Sequence, residues 1–215
     1  MARLARQVQF CLPGWRVSSA TLAAPERLEA TLVRLSENVL VYPFFMSDGW
    51  FVRKALPDRL ACVGPVTLVS PFGLEPQLPE LAAGMIRRAM ASHGLQVESS
   101  CILLSAHGTV RSLNAARAAQ GFADRLEYLL PGAAVKIGFI EQDPFIRDVA
   151  AQLGGPVFSL PFFALNGDHY QQDILPVLDQ SGLSGLRLPV LGAHPFVPGL
   201  IARALDNEAS QRIAV

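Results

Sequence analysis

Two stretches of this chain are near-copies of each other, and no other feature limits the possible fold so tightly. Residues 42–57 read YPFFMSDGWFVRKALP and residues 160–176 read LPFFALNGDHYQQDILP. Both carry Pro-Phe-Phe, both place a glycine at the same distance beyond it, and both close on Leu-Pro. Each reads as the end of a buried strand, then a loop, then the opening of a helix. The later copy presents His169 where the earlier presents Phe51, so one half is equipped for chemistry and the other is not.

The match extends along the chain. QVQFCLPG from Gln7 corresponds to RLEYLLPG from Arg125, RVSSATLAAP to VKIGFIEQDP, and GLEPQLPELAAGMI from Gly73 to GAHPFVPGLIARAL from Gly192. Matched segments in one order predict a tandem duplication, with an N-terminal half over 1–95 and a C-terminal half over 96–215. In the second half, strands are expected at Cys101–Ser105, Val135–Ile140, Val157–Leu160 and Leu186–Val190. Helices are expected at Leu113–Leu130, Pro144–Leu153, Tyr170–Leu178 (kinked at Pro176) and Phe196–Leu205. Strand–helix alternation with continuous apolar strands implies an α/β fold of two Rossmann-like three-layer units with mostly parallel sheets and right-handed crossovers.

The first half is expected to repeat this with strands near Val17–Leu22, Val39–Tyr42 and Val66–Ser70. Nothing in it corresponds to Cys101–Gln120, and residues 1–12 match only the tail of the helix that follows. In doubly wound units the first strand commonly lies between the second and third. Its loss predicts unpaired strand edges: a poorly closed half, a strand borrowed from a partner, or a longer natural chain.

Composition narrows the partners. Hydrophobic residues make up 51% and charged residues 17%, which excludes a disordered chain. Lys plus Arg equals Asp plus Glu at 18 each, so no global field draws in nucleic acid or an anionic membrane. Cys11, Cys62 and Cys101 form no CxxC and read as small core residues in a reducing cytoplasm. The N-terminus is no convincing signal peptide, and no apolar run is long enough to span a membrane.

Ligands of open parallel sheets bind at the carboxyl ends of the strands. In the second half those ends are Ser105-Ala106-His107-Gly108-Thr109, Glu141-Gln142-Asp143, Asn166-Gly167-Asp168-His169 and Gly192-Ala193-His194-Pro195. They hold three of the four histidines, and with Glu141 they make a His/Glu/His constellation of the kind that suits cobalt, iron, nickel or zinc. Each residue also has a plainer reading. His107 could cap a helix, Glu141 alone reads as a solvated loop acid, and His169 could be an ordinary loop histidine. His194 favours a structural or rim position, and His93 suits a helix C-terminus. The absence of GxGxxG and GxxxxGK[ST] disfavours a nucleotide site, and Ser105 and Ser159 lack the GxSxG elbow of a hydrolase.

At these residues the sequence resembles the sirohydrochlorin chelatases of the CbiX/SirB type in the class II chelatase family. LLSAHGT, GFIEQDP, LPFFALNGDHYQQDILP and VLGAHP match, in order, the family's His-Gly-[ST] turn, its Glu-bearing strand end, its Gly-x-His segment with Asp-Ile-Pro, and its Leu-Gly-x-His-Pro. The resemblance implies insertion of cobalt or iron, as metal substrate, into sirohydrochlorin on the way to cobalamin or siroheme, with no tightly bound cofactor. It places His107, Glu141 and His169 at the metal and in catalysis, and Arg111, Arg117, Asp168 and His194 as substrate contacts. The first half departs from the pattern: it has no His-Gly turn, Trp50-Phe51 replace Asp168-His169, and Ala23 and Ala24 fall where the acid would be. It is expected to be a pseudo-subunit, giving a monomer by repetition or a dimer through the incomplete half. Trp50, Phe51 and Phe72 would line the macrocycle pocket. A non-catalytic metal or tetrapyrrole carrier derived from a chelatase is the alternative.

Overall fold

A computed structural model describes residues 1–24, 26–35, 38–61, 65–97, 100–154, 157–181 and 185–213. The chain forms two units: residues 1–44, 48–72 and 195–215 make the first, and 45–47 with 73–194 the second. The division does not follow the repeat boundary. Helix α4 (Leu78–Ser92), which closes the first half, belongs to the second unit, and the final helix α8 (Val197–Ile213) belongs to the first.

The second unit is built on four parallel strands, β3 (Cys101–Ala106), β4 (Ala134–Phe139), β5 (Val157–Pro161) and β6 (Gly185–Arg187), in the order β4-β3-β5-β6. The first of them therefore lies between the second and third, as the doubly wound pattern requires. Leu103 and Val157 face one layer, where they pack with Ile146, Ala150, Tyr170, Ile174 and Leu178. Ile102 and Leu104, turned the other way by the pleat, are also fully buried. Burial on both faces explains why these strands read as unbroken apolar runs. Helix α5 (Asn114–Leu129) joins β3 to β4, and α6 (Ile146–Gln152) joins β4 to β5. Helix α6 starts after Pro144 rather than at it, because the Pro144 carbonyl accepts the Phe139 N–H (2.9 Å) and holds this segment extended beside β4.

After β5 the chain enters a π-helical turn, His169–Ile174, that passes into α7 (Leu175–Gln180). Pro176 stands in the first turn of α7, just where the winding changes from π to α. The earlier copy has the same plan, a π-helical turn at Phe51–Ala55 passing into α3 (Leu56–Leu60) with Pro57 in its first turn.

In the first unit, helix α1 (Ala2–Cys11) leads to α2 (Arg27–Val33), and two parallel strands follow, β1 (Val39–Val41) and β2 (Val66–Leu68). The strand expected at Val17–Leu22 does not form. By the repeat it would be an outer strand, and the inner strand that would pair with it has no counterpart here. Ala20 and Leu22 instead pack on Leu28, Leu32, Leu56 and Leu60, and Arg59 grips Glu29 through two nitrogens (2.6 and 2.7 Å) while donating to the Leu22 carbonyl (3.1 Å). Among the described residues β1 pairs with β2 alone, which leaves its other edge unpaired. Cys11 is exposed rather than part of a core, Cys62 lies outside the described residues, and Cys101 packs beside Leu103 with burial pushing its thiol upward. Phe72 is fully buried and lines no open pocket, whereas Trp50 and Phe51 are exposed. No helix among the described residues is long and apolar enough to cross a membrane.

Repeat-related glycines show what the scaffold demands. The Gly73 N–H donates to Phe45 and the Gly192 N–H to Phe163, and a Cβ on either would fall 2.0 Å from the Met46 oxygen or 1.8 Å from the Ala164 oxygen. Gly192→Ala should therefore destabilise the protein by about 1–3 kcal/mol, the usual cost of forcing atoms into a filled space. Gly121→Ala, in α5 with nothing near its Cβ position, should stabilise by about 0.5–1 kcal/mol. Urea denaturation of both variants measures the contrast.

Candidate functional site

The site begins where β3 ends. The His107 carbonyl accepts the N–H groups of Ile140 (3.2 Å) and Glu141 (3.0 Å), and Ile140 also donates to Ala106 (3.1 Å). Gly108 then turns with φ +69, a conformation side-chain-bearing residues rarely adopt. A Cβ there would lie 2.7 Å from Cγ of Gln142. The Gln142 side chain accepts the Thr109 N–H at 2.7 Å. On the other side, Phe162 donates to the Ser105 carbonyl (2.8 Å), so β5 leaves the sheet beside β3 as well. Three strand ends are thus fastened to one another by main-chain bonds.

The side chains that project there include three of the expected set. His107 Nδ1 lies 3.7 Å from Glu141 Oε2, and the His107 and His169 rings meet edge to face with centroids 4.4 Å apart. All three reach solvent, with His107 about one-third exposed, Glu141 half exposed and His169 more so. His107 Nδ1 is 2.9 Å from the Gly108 carbonyl, which can only accept, so Nδ1 carries a hydrogen and, in the neutral ring, the lone pair is on Nε2. His169 Nδ1 is 3.0 Å from Asp173 Oδ2, and the same holds for its neutral ring. In their neutral forms the two imidazoles, with the Glu141 carboxylate, are a donor set that suits a borderline divalent ion. As the side chains stand, no three His, Cys, Asp or Glu among the described residues enclose a metal position.

The remaining expected residues are placed differently. Arg111 and Arg117 are exposed, and their guanidinium groups make no ion pair among the described residues. Asp168 is exposed just before the π-helical turn. His194 is buried, with Nε2 3.2 Å from Nη2 of Arg88. Arginine can only donate, so Nε2 accepts and the ring is neutral, which is the structural reading of this residue rather than the substrate-contact one. His93 follows α4 and contacts the Ala89 carbonyl, as expected at a helix end. Ser105 and Ser159 are buried, and their hydroxyls have no hydrogen-bond partner among the described residues, which rules them out as activated nucleophiles. Sequence reasoning quoted Asp173 and Gln142 within their segments but gave neither a role. Asp173 stands four residues after His169, a spacing that brings side chains together on a helix; nothing in the sequence singles out Gln142.

Comparison with known proteins identifies relatives of this chain. The CbiX family model matches residues 101–208, half of the chain and the part that holds all three clustered side chains. The probable sirohydrochlorin cobaltochelatase of Halobacterium salinarum is 25% identical over 167 residues, 65% of this chain and 56% of that protein, so the match spans little more than half of the relative. The structure of CbiX, the terminal enzyme for biosynthesis of siroheme in denitrifying bacteria, is 38% identical and covers 96% of this chain and 89% of its own, with a TM-score of 0.86. SirB from Bacillus subtilis with Fe3+ covers 98% of this chain and 90% of its own with a TM-score of 0.75, but at 16% identity it is a likeness of fold alone.

Burial, and secondarily the Arg88 charge, push the His194 pKa below the ordinary histidine value. A folded-state pKa below the unfolded one means that the unfolded chain takes up the proton more readily as pH falls. The stability held by neutral His194 is therefore complete above about pH 6.5 and is lost below it. The urea midpoint should fall between pH 7.5 and pH 5.5, and it should fall less in His194→Gln, which keeps an acceptor for Arg88 but cannot titrate.

Proposed function

The chain belongs to the CbiX family, and from that premise we propose that it inserts a divalent metal, cobalt or iron, into sirohydrochlorin. The observation that carries the proposal is the convergence of His107, Glu141 and His169 from three separate strand ends. In this reading the metal is a substrate. The two Nε2 lone pairs and the Glu141 carboxylate receive it, and either ion suits that donor set. The macrocycle exchanges two pyrrole N–H protons for the metal, so two protons must leave. Glu141 and the imidazoles, exposed and within reach of one another, are the groups that accept them.

Sirohydrochlorin carries eight carboxylates, and Arg111 and Arg117 present exposed guanidinium groups beside the His-Gly turn and on the first turns of α5. We assign them to substrate carboxylates, for which arginine supplies paired donors. Asp168, adjacent to His169, completes the substrate-facing set. The reaction is placed in the cytoplasm, with the chain acting as a monomer of two repeated halves or as a dimer through the incomplete first half. The carrier reading is not favoured, because the Halobacterium salinarum relative is a probable cobaltochelatase and CbiX is an enzyme of siroheme biosynthesis.

Anaerobic incubation with sirohydrochlorin and Co(II) or Fe(II), followed by absorbance, tests the proposal. The full chain should metallate the ring above the uncatalysed rate. His107→Ala, Glu141→Ala and His169→Ala should each lower kcat/KM by at least about 100-fold, the low end for removing a group that exchanges protons in the transition state. Stoichiometric binding without turnover in the parent protein would overturn the enzymatic reading in favour of a carrier.

A further inference from the structure

Resting on that reading of the site, we propose that Asp173 is a positioning residue for metal capture, holding His169 in the one tautomer and orientation that offers Nε2 to the incoming ion. Asp173 Oδ2 lies 3.0 Å from Nδ1 of His169. The carboxylate has no other partner among the described residues. Two other carboxylates of the same unit are matched with arginines, Asp179 with Arg187 and Glu80 with Arg125, whereas Asp173 faces an imidazole.

The local backbone brings the pair together. His169 and Asp173 both lie within the π-helical turn His169–Ile174, and hydrogen bonds of the i→i+5 kind put a full turn between four and five residues. Residues i and i+4 then stand almost in line along one face. The repeat supplies a natural comparison: the earlier copy keeps the turn but has Phe51 in place of the histidine and Ala55 in place of the aspartate. The copy without the imidazole also lacks its acceptor.

The consequence is chemical. Without an acceptor at Nδ1, an exposed imidazole divides its population between two tautomers and rotates freely, and only part of that population offers Nε2. A carboxylate at Nδ1 removes the other states and makes Nε2 a stronger donor, and loss of such an outer partner typically weakens metal binding about 10–100-fold. His107 Nδ1 makes its hydrogen bond to a neutral carbonyl (2.9 Å), with the Glu141 carboxylate farther off at 3.7 Å, so the two imidazoles are held unequally.

Titration of the full-length protein with CoCl2 in the absence of tetrapyrrole, followed by visible absorption and calorimetry, isolates this step. Expected are loss of binding in His169→Ala, a loss of about 10–100-fold in Asp173→Ala, and a smaller loss in Asp173→Asn, which keeps an acceptor but not the charge. Asp179→Ala, which removes a neighbouring carboxylate, should bind as the parent does. In turnover assays Asp173→Ala should raise KM for the metal and leave KM for sirohydrochlorin unchanged. Parent-like affinity in Asp173→Ala while His169→Ala is impaired would overturn the role of Asp173 and leave the chelatase reading standing. Equal weakening in Asp173→Ala and Asp179→Ala would overturn it too. If His169→Ala binds and turns over normally, the site assignment itself falls. Should Asp173→Ala fail to fold, near-isosteric Asp173→Asn decides alone, and parent-like affinity there overturns the proposal.

Discussion

The site depends on the carbonyl of His107, which accepts the N–H groups of both Ile140 and Glu141. That oxygen ties the end of one strand to the end of its neighbour at the residues whose side chains make the cluster. Because the bonds are main-chain, they position His107 and Glu141 without using any atom that could meet a ligand. The Gly108 turn and the Gln142 side chain depend on the same junction, since a Cβ at position 108 would collide with Gln142. The backbone is pinned while the side chains reach solvent.

Much of this was legible in the residues. Continuous apolar runs separated by amphipathic segments implied buried parallel strands, and the order β4-β3-β5-β6 is the one that places the opening strand inside. The convergence of His107, Glu141 and His169 followed from topology, because ligand groups gather at the carboxyl ends of such strands. Less visible were features set by short-range geometry. A π-helical turn and an α-helix share nearly the same apolar spacing, so DHYQQDILP reads as plain helix. His194 looked like a member of the same edge as the other histidines, yet Arg88, more than a hundred positions earlier, occupies its ring. Val17–Leu22 has the composition of a strand, but ladder formation needs a neighbour, and composition carries no information about one that is missing.

The two copies of the Pro-Phe-Phe segment separate architecture from chemistry. Both keep the π-helical turn, the proline in the first turn of the next helix, and a glycine pressed against a backbone oxygen. Those features answer to packing, which tolerates little change in volume. His169 and Asp173 stand in one copy only, where the other has Phe51 and Ala55. The tight spaces persist in the copy where those two side chains do not.

The open position of His169 has a kinetic meaning. An ion delivered to a macrocycle has a residence time, and that time bounds throughput. At a nanomolar dissociation constant, even capture at about 10⁸ M⁻¹s⁻¹ implies spontaneous release only about once in ten seconds. A typical enzyme turns over about ten times per second, which calls for a grip nearer 10⁻⁷ M unless the ring itself pulls the ion away. If His107, Glu141 and His169 hold the ion as proposed, three solvent-reached side chains on separate strand ends would give a loose grip of that kind.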